Sequence, residues 1–394
     1  MKKMNLMRKK SQFALAMVSC LLVPWVQAAD VNITGFLSVG GGFVDDEFES
    51  GGNYGGYEED LTFDNNLLGL QISGQVSEKI TATTQLIARS NSDYDINAEW
   101  AYLTFEATDS VKLRAGRLRT PFYSYSDFLD VGYAYGWITP PREVYYLPFN
   151  NVDGIDLYVT KPMGSFDTTL QVYYGGFSDE LTLGGALTEA DTRNQTGIAA
   201  TLGKGWWTLR AAYHQADLTV DVARAVIDPQ SGLTLGQFLG ALPPSLSNVS
   251  TNVLVDEDKA TFAQIGITID TGTFVAAAEH VEFEAKNSML AKNIREYVML
   301  GVRTGDWLFH VTAARADDEA ANLVAGIPVA PSTLPLIGGL NQVSASQAET
   351  RDVISLGTRW DVLSGSALKF QIDDVDDEGS GKQTVYSVAL QTVF

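Results

Sequence analysis

The chain offers few side chains that could catalyse a reaction or hold a metal ion. Its three histidines, His214, His280 and His310, are far apart and show no ligand spacing, so we expect no metal centre. No Gly-x-Ser-x-Gly nucleophile elbow and no phosphate-binding loop occurs. The run Asp374–Gly379 begins like a calcium loop, but Val385 stands where the closing glutamate is required. We therefore predict no cofactor, no metal and no enzymatic activity.

Acidic residues dominate the charged side chains. The chain has 48 Asp and Glu against 27 Lys and Arg, a net charge of −21. Nucleic acid is excluded as a partner, because binding it requires a basic patch. We expect the acidic runs to lie in solvated loops, with weak divalent bridging to lipopolysaccharide as the alternative. These runs are residues 45–47, 58–60, 256–258, 317–319 and 373–378.

Residues 119–150 combine ten aromatic residues with four prolines. Aromatic side chains at this density are costly in water, so the segment should pack inside another part of the molecule. A loop inserted into a pore would satisfy this requirement. An aromatic track for a sugar or an apolar solute is the alternative.

The rest of the chain is dominated by strands. Apolar and polar residues alternate with period 2, as in residues 68–76, 265–269 and 368–372, which predicts strands with one apolar face. Short turns and long acidic or Gly/Pro-rich connections follow one another in alternation. About sixteen strands are predicted, starting near residues 31, 66, 80, 98, 111, 152, 166, 193, 206, 260, 273, 295, 307, 351, 366 and 384.

A soluble β-sandwich would show the same alternation, but three features favour a membrane. Residues 1–28 are predicted below to be an export signal, the turn lengths are asymmetric, and aromatic residues stand at predicted strand ends. No run after residue 30 reaches the roughly 20 apolar residues of a spanning helix. A sheet can span lipid only if it closes on itself, so we predict an all-β transmembrane antiparallel barrel with an aqueous channel. The aromatic residues are Trp100, Tyr102, Trp206, Trp207, Trp307, Trp360, Tyr386 and Phe394.

Residues 1–28 are predicted to be a cleaved signal peptide, which leaves 29–394 as a single barrel domain. A basic start precedes an apolar core, and small residues surround the cleavage position at Ala28. Cleavage removes five cations and no anion, so the net charge moves from −21 to −26. A short membrane anchor, and lipidation at Cys20, are the less favoured alternatives.

Several segments resemble the general bacterial porins, the trimeric sixteen-stranded channels of Gram-negative outer membranes. Residues 386–394 end on Phe394 and resemble the C-terminal signature that the barrel-insertion machinery recognises. The segment Leu113–Phe122 looks like the end of the porin fifth strand and the start of its third loop. Ile33–Phe36 and Asn151–Asp156 fit the first strand and the strand after the third loop.

The resemblance implies that residues 119–150 form a third loop that folds inward and constricts the pore. It also implies a constriction of arginines facing acidic loop residues: Arg89, Arg114, Arg117 and Arg119 against Asp127, Asp130 and Glu143. Strand alternation also places Arg89 and Arg114 on the inner, polar face. It turns Arg117 outward, and the cost of an arginine that faces lipid favours either a bulge at Gly116 that reverses it or a position near the rim.

We therefore expect an outer-membrane porin for passive diffusion of ions and small hydrophilic solutes. A substrate-selective channel that uses the aromatic third loop is the alternative. An outer-membrane enzyme such as a lipase is a third hypothesis, which the scarcity of histidines disfavours. The expected partners are the lipid bilayer, lipopolysaccharide and two further copies in a homotrimer, although the sequence alone leaves trimer and monomer open.

Overall fold

Sixteen antiparallel strands close into a barrel in the computed structural model, which describes residues 30–48, 53–63, 65–148, 150–183, 186–228 and 230–394. The predicted signal peptide lies outside the described residues. The first half of the wall is β1 Val31–Val44, β2 Leu67–Ser77, β3 Ile80–Arg89, β4 Ile96–Thr108, β5 Val111–Arg119, β6 Asn151–Met163, β7 Phe166–Leu183, β8 Ala186–Lys204 and β9 Trp207–Val220. The second half is β12 Val255–Asp270, β13 Phe274–Ala285, β14 Asn293–Thr304, β15 Trp307–Asp317, β16 Thr350–Leu363, β17 Ser366–Asp377 and β18 Gly381–Val393.

The barrel closes between its first and last strands. β1 pairs with β18 in continuous register from Phe36 opposite Val393 to Val44 opposite Val385. Every strand is thereby paired on both sides, so the backbone polar groups of the wall are satisfied without water. The predicted barrel of about sixteen strands is confirmed.

The alternation seen in the sequence separates the two faces of this wall. On β14, Val298 and Leu300 are 52% and 58% exposed, whereas Tyr297 and Met299, which alternate with them, are buried. The exposed apolar face surrounds the barrel and suits contact with lipid, and the other face lines the interior. Among the described residues, no helix is both long and apolar enough to cross a bilayer.

Connections at the two ends of the barrel differ in length. At one end, which we call the turn end, neighbouring strands are joined by tight turns such as Gly164 and Gly305, whose φ angles are 66° and 57°. A glycine suits these positions because other side chains rarely adopt a positive φ. At the opposite loop end lie the long connections 45–66, 120–150, 221–254 and 318–349.

Aromatic rings at the turn end form part of a membrane-interface belt. The indole rings of Trp307 and Trp360 stack with centroids 5.1 Å apart, and Trp206 is 56% exposed. Amphipathic rings are favoured at the height of lipid head groups. Tyr102 departs from the expected pattern, because its ring lies beside the guanidinium group of Arg114 in the barrel interior.

Two long loops carry short helices and share an apolar cluster at the loop end. The helices are α1 Leu235–Gly240, α2 Asn248–Val253 and α3 Leu334–Gln347, and β10 Val226–Asp228 pairs with β11 Leu233–Thr234 beside them. A capping box at Thr234 begins α1. The cluster consists of Leu239, Val249, Val253, Leu323, Ile327 and Leu340.

The largest error in the predicted strand positions concerns β8, which starts at Ala186 and was expected near Arg193. The β7–β8 hairpin continues its pairing to Leu183 opposite Ala186. Backbone pairing therefore extends this hairpin seven residues beyond the predicted start of the strand.

Candidate pore constriction

The connection between β5 and β6, residues 120–150, is called L3 below, and cations of the barrel wall bind its backbone. Lys369 on β17 is fully buried, and its Nζ donates to the carbonyl oxygens of Gly132, Tyr135 and Trp137 at 2.7, 2.7 and 2.5 Å. Arg359 on β16 also donates to the Tyr135 carbonyl, at 3.0 Å. Hydrogen bonds from charged donors are the strong ones, so these two side chains hold this part of L3 against the wall.

Two further arginines bind L3 carbonyls elsewhere along the loop. Arg210 on β9 donates to the carbonyl oxygens of Pro121 and Phe122, the latter at 3.1 Å. Arg295 on β14 donates to the carbonyl of Glu143 at 3.4 Å. Four cations from four strands therefore fix the path of L3 through its main chain.

The aromatic residues of L3 pack largely against one another and against the wall. Trp137 and Tyr123 are each 1% exposed, and the Trp137 indole donates from Nε1 to Thr312 Oγ1 at 2.8 Å. Its ring meets Tyr297 edge-on with centroids 5.5 Å apart. These two rings fill the interior beside β12 to β18. Phe128, which is 36% exposed, is an exception.

Three of the predicted site residues meet in one ion-pair network. Arg89 donates to Glu99 Oε1 at 2.6 Å and to Asp130 Oδ1 at 2.8 Å, and Arg119 pairs with the other oxygen of Asp130. Burial of Asp130 opposes its ionisation, but the guanidinium groups of Arg119 and Arg89 hold the pKa of Asp130 below its ordinary value. The network attaches L3 to β3, β4 and β5.

Arg114 faces the interior, as alternation predicts, and is already neutralised. It lies directly opposite Asp156 of β6 and donates to this carboxylate from Nε at 2.9 Å. Its guanidinium group also lies over the Tyr158 ring, 5.1 Å from the centroid. Gln171 donates to Asp156 at 2.8 Å, which completes a polar patch on the inner wall.

Arg117 lies on the outer face, near the loop end of β5, so it takes the position near the rim and no bulge at Gly116 turns it inward. The β5–β6 register runs without a shift from Val111 to Arg119, and Gly116 pairs directly with Gly154. Arg117 pairs instead with Asp153, Nε to Oδ1 at 2.9 Å, on the face that also carries Ile155. An opposing carboxylate compensates the cost of placing this arginine outside the barrel.

Glu143 also departs from the expected arrangement, because it is 1% exposed and does not border an open space. Tyr54 Oη donates to its Oε2 at 3.2 Å, and Arg351 Nη1 lies 4.0 Å from its Oε1. Burial raises the pKa of Glu143. The residue joins L3 to the preceding long loop.

That loop, residues 45–66, is the part of the site that sequence analysis missed. We expected it to be a solvated acidic connection, but Phe48, Tyr54 and Tyr57 are buried in the same apolar cluster as Trp137. The Tyr54 backbone N–H donates to Gln383 Oε1 at 2.8 Å. Three aromatic residues within an acidic segment were the available signal.

Asp127 is the predicted residue that remains exposed at an open space. No hydrogen bond or ion pair to its carboxylate occurs among the described residues, although it interacts electrostatically with Arg114 and Arg210. It borders a cavity of about 320 Å³ between L3 and the inner face of β6 to β12. Within the described part of the chain, no group of three or more His, Cys, Asp or Glu side chains is placed to hold a metal ion.

The chain belongs to the Gram-negative porin family, whose model matches residues 14–391. Solved structures agree in fold. The outer-membrane channel DcaP of Acinetobacter baumannii has a TM-score of 0.59 at 12% identity, over 94% of this chain and 99% of that one. OmpF of Salmonella typhi, in complex with daunomycin, has a TM-score of 0.57 at 11% identity, over 93% of this chain and 98% of that one. Outer-membrane OmpT of Vibrio cholerae has a TM-score of 0.55 at 13% identity, over 94% of this chain and 100% of that one.

Among curated proteins, none matches this sequence. Family membership and the closed sixteen-stranded barrel identify an outer-membrane protein of the Gram-negative cell envelope. Its general function is that of a passive outer-membrane channel, as in its family.

Proposed function

We propose that L3, within the predicted segment 119–150, constricts a water-filled pore for ions and small hydrophilic solutes. The observation that carries this proposal is the binding of L3 carbonyls by Lys369, Arg359, Arg210 and Arg295 from four wall strands. A loop held in this way occupies the interior permanently, and solutes must pass beside it. The open space beside L3 lies along β6 to β12, and Asp127 borders it.

The predicted constriction residues have different roles in this proposal. Arg89, Arg119 and Asp130 position L3 through their mutual ion pairs, and Glu143 positions it against Tyr54. Asp127 borders the open space beside L3, and Arg114 faces the barrel interior, where it is bound to Asp156. Polar walls of this kind let hydrated solutes pass without loss of hydrogen bonding, whereas apolar solutes gain nothing in return for entering.

Shortening L3 tests the constriction. Replacing residues 124–147 by a short glycine-serine linker should raise the single-channel conductance in planar bilayers, because the obstruction is removed. A matched shortening of the 221–254 loop, which packs against the 318–349 loop at the loop end, should leave conductance nearly unchanged. Equal conductance of the L3 variant and the unmodified protein would contradict the proposal.

We also propose that the protein assembles as a homotrimer. The outward residues of β2 and β3 are aliphatic or small and partly exposed, as in Leu70, Ile72 and Ala82, and suit a subunit contact as well as lipid. One similar structure, OmpT of Vibrio cholerae at 14% identity and a TM-score of 0.54, is described as a trimer. Mass determination of the detergent-solubilised protein by native mass spectrometry tests this.

Recognition of Phe394 by the barrel-insertion machinery and contact with lipopolysaccharide remain predictions. Deleting Phe394 should lower the amount of folded barrel in the outer membrane. Replacement by tyrosine, which keeps a terminal aromatic ring, should restore it.

A further inference from the structure

The outer face of the wall carries a groove of about 770 Å³ that extends across β9 and β12 to β16. One row of its floor crosses four strands and consists of Ala278, Val298, Ala313 and Ile354. The short alanine side chains leave a depression between the longer aliphatic ones. At the 4.7–4.9 Å spacing of paired strands, six strands make the groove about 24 Å wide. It therefore has room for several acyl chains side by side.

A row of charged side chains borders this apolar floor on the side of the loop end. Two residues further along each strand, His280, Glu296, Arg315 and Asp352 follow one another across β13 to β16, each directly opposite the next. All four line the groove. Two residues of a strand span about 7 Å, so the charges lie close above the aliphatic row. The groove is thus amphiphilic, apolar toward the turn end and charged toward the loop end.

The central cation of this row is held loosely. Arg315 Nε lies 3.7 Å from Asp352 Oδ1, and its Nη2 lies 3.3 Å from Asp317 Oδ2. All three side chains are at least half exposed. Exposed ion pairs of this kind contribute only about 0–1 kcal/mol, so a charged head group can replace them at small cost.

Carboxylates outnumber cations in this region. His280 lies between Glu296 and Glu282, at 3.2 and 3.4 Å, and the row continues through Asp376 to Lys382 on the last two strands. A bare anion would be repelled by such a surface. Phosphates cross-linked by divalent cations would not, because Mg²⁺ binds carboxylates and phosphates together, while arginine binds phosphate through forked hydrogen bonds. Alternating phosphates and divalent cations thus complement an arginine with a carboxylate on either side.

The side of the membrane decides which lipid meets this groove. Outer-membrane barrels have short periplasmic turns and longer extracellular loops, so the loop end and the charged row belong to the outer leaflet. The lipid of that leaflet is lipopolysaccharide, whose lipid A carries several acyl chains beneath phosphorylated sugars. The groove also lies away from β2 and β3, so the proposed trimer contact leaves it open to lipid.

We propose that this groove is a binding site for lipid A. Its acyl chains lie over Ala278 and Ala313, a phosphate binds Arg315, and divalent cations bridge neighbouring phosphates to Glu296 and Asp352. The proposal rests on the predicted contact with lipopolysaccharide and names its site. It does not depend on the course of the pore.

Native mass spectrometry of the folded protein in detergent, titrated with purified lipid A in the presence of Mg²⁺, tests the proposal. Arg315→Glu should raise the concentration for half-occupancy at least about fivefold, the upper end for one exposed ion pair. Ala313→Trp fills the floor without changing a charge and should raise it by a comparable factor. Arg117→Glu makes the same change of charge on the outer face of β5 and is the matched control, which should bind like the unmodified protein. Removal of Mg²⁺ by EDTA should weaken binding to the unmodified protein.

The outcomes separate the site from the contact itself. If the unmodified, folded protein binds no lipid A, the predicted contact with lipopolysaccharide is wrong as a whole. If it binds, and Arg315→Glu and Ala313→Trp bind equally well, the contact stands and this groove is refuted as its site. An equal loss in Arg315→Glu and Arg117→Glu would reflect net charge alone and would also refute the groove. Phosphatidylglycerol that binds as tightly, with the same response to Arg315→Glu, would refute the preference for lipid A.

Discussion

Lys369 and Tyr135 are joined across the barrel interior by a 2.7 Å hydrogen bond from Nζ to a main-chain carbonyl, although they are 234 residues apart. The same ammonium group binds the carbonyls of Gly132 and Trp137. No carboxylate takes part in these bonds. A buried cation is thus stabilised by three peptide dipoles, and L3 is held through atoms that every residue possesses.

Lys369→Met should weaken this attachment without unfolding the barrel. The Tyr135 carbonyl keeps its bond from Arg359 and the Gly132 carbonyl keeps one from the Tyr135 N–H, but the Trp137 carbonyl loses its donor. An unsatisfied buried polar group costs about 1–3 kcal/mol. We expect a noisier and larger single-channel current and a lower urea midpoint. Lys382→Met is the matched control, since Lys382 is exposed and pairs with Asp376 at the surface. Identical traces for both variants would show that the bonds do not hold L3.

Asp130 predicts a loss of L3 attachment in acid. Its pKa is lowered in the folded protein, so its contribution is present above the ordinary value of 3.8 and is lost as pH falls through the lowered value. Conductance should therefore stay constant from neutral pH to about 3.8 and change below it. Asp130→Asn should show the altered conductance already at pH 7. A variant indistinguishable from the unmodified protein at both pH values would contradict the assignment.

The stabilisation that Glu143 provides should change with pH in the opposite direction. Its pKa is raised by burial, so the stabilisation it provides is complete below the ordinary value of 4.5 and is lost as pH rises through the raised value. Glu143→Gln keeps an oxygen that can accept from Tyr54 and removes the buried charge. We expect the variant to be more stable than the unmodified protein at pH 8 and equal to it at pH 4, measured by urea unfolding. Lower stability at pH 8 would indicate that the charge interaction with Arg351 dominates.

The outward position of Arg117 can be distinguished from an inward one by electrical measurement. Arg117→Ala removes a charge from the outer face and should leave the reversal potential in a KCl gradient unchanged. Arg114→Ala leaves Asp156 unpaired beside the passage and should shift the reversal potential toward greater cation preference. A shift for Arg117→Ala equal to that for Arg114→Ala would place both arginines in the pore.

Gly116 should not tolerate a side chain. Its φ is 133°, and an added Cβ would lie 2.2 Å from the Ala101 carbonyl oxygen. Gly116→Ala should cost at least about 1–3 kcal/mol, the range for a strained backbone conformation. Gly74→Ala is the control, because its nearest neighbour, a Val31 methyl carbon, is 3.9 Å away. Comparable unfolding midpoints for the two variants would contradict this reasoning.

The strands could be predicted because each carries its own local signal. Alternation placed Arg89 and Arg114 on the inner face, and the bilayer requires that such strands close. The partners of these residues could not be predicted in the same way. Lys369 reads as one polar residue of a strand, and nothing local indicates that it binds carbonyls more than 200 residues earlier. The burial of Tyr54 depends likewise on long-range packing.

Because L3 is attached through its main chain, its backbone path does not depend on the side chains that it presents to the open space. Substitutions at Asp127 or Phe128 leave the carbonyls bound by Lys369, Arg359 and Arg210 in place. Single substitutions of these side chains can therefore change the permeability of the channel while the backbone path of L3 stays the same. Such a channel can diversify its cargo while it keeps its architecture.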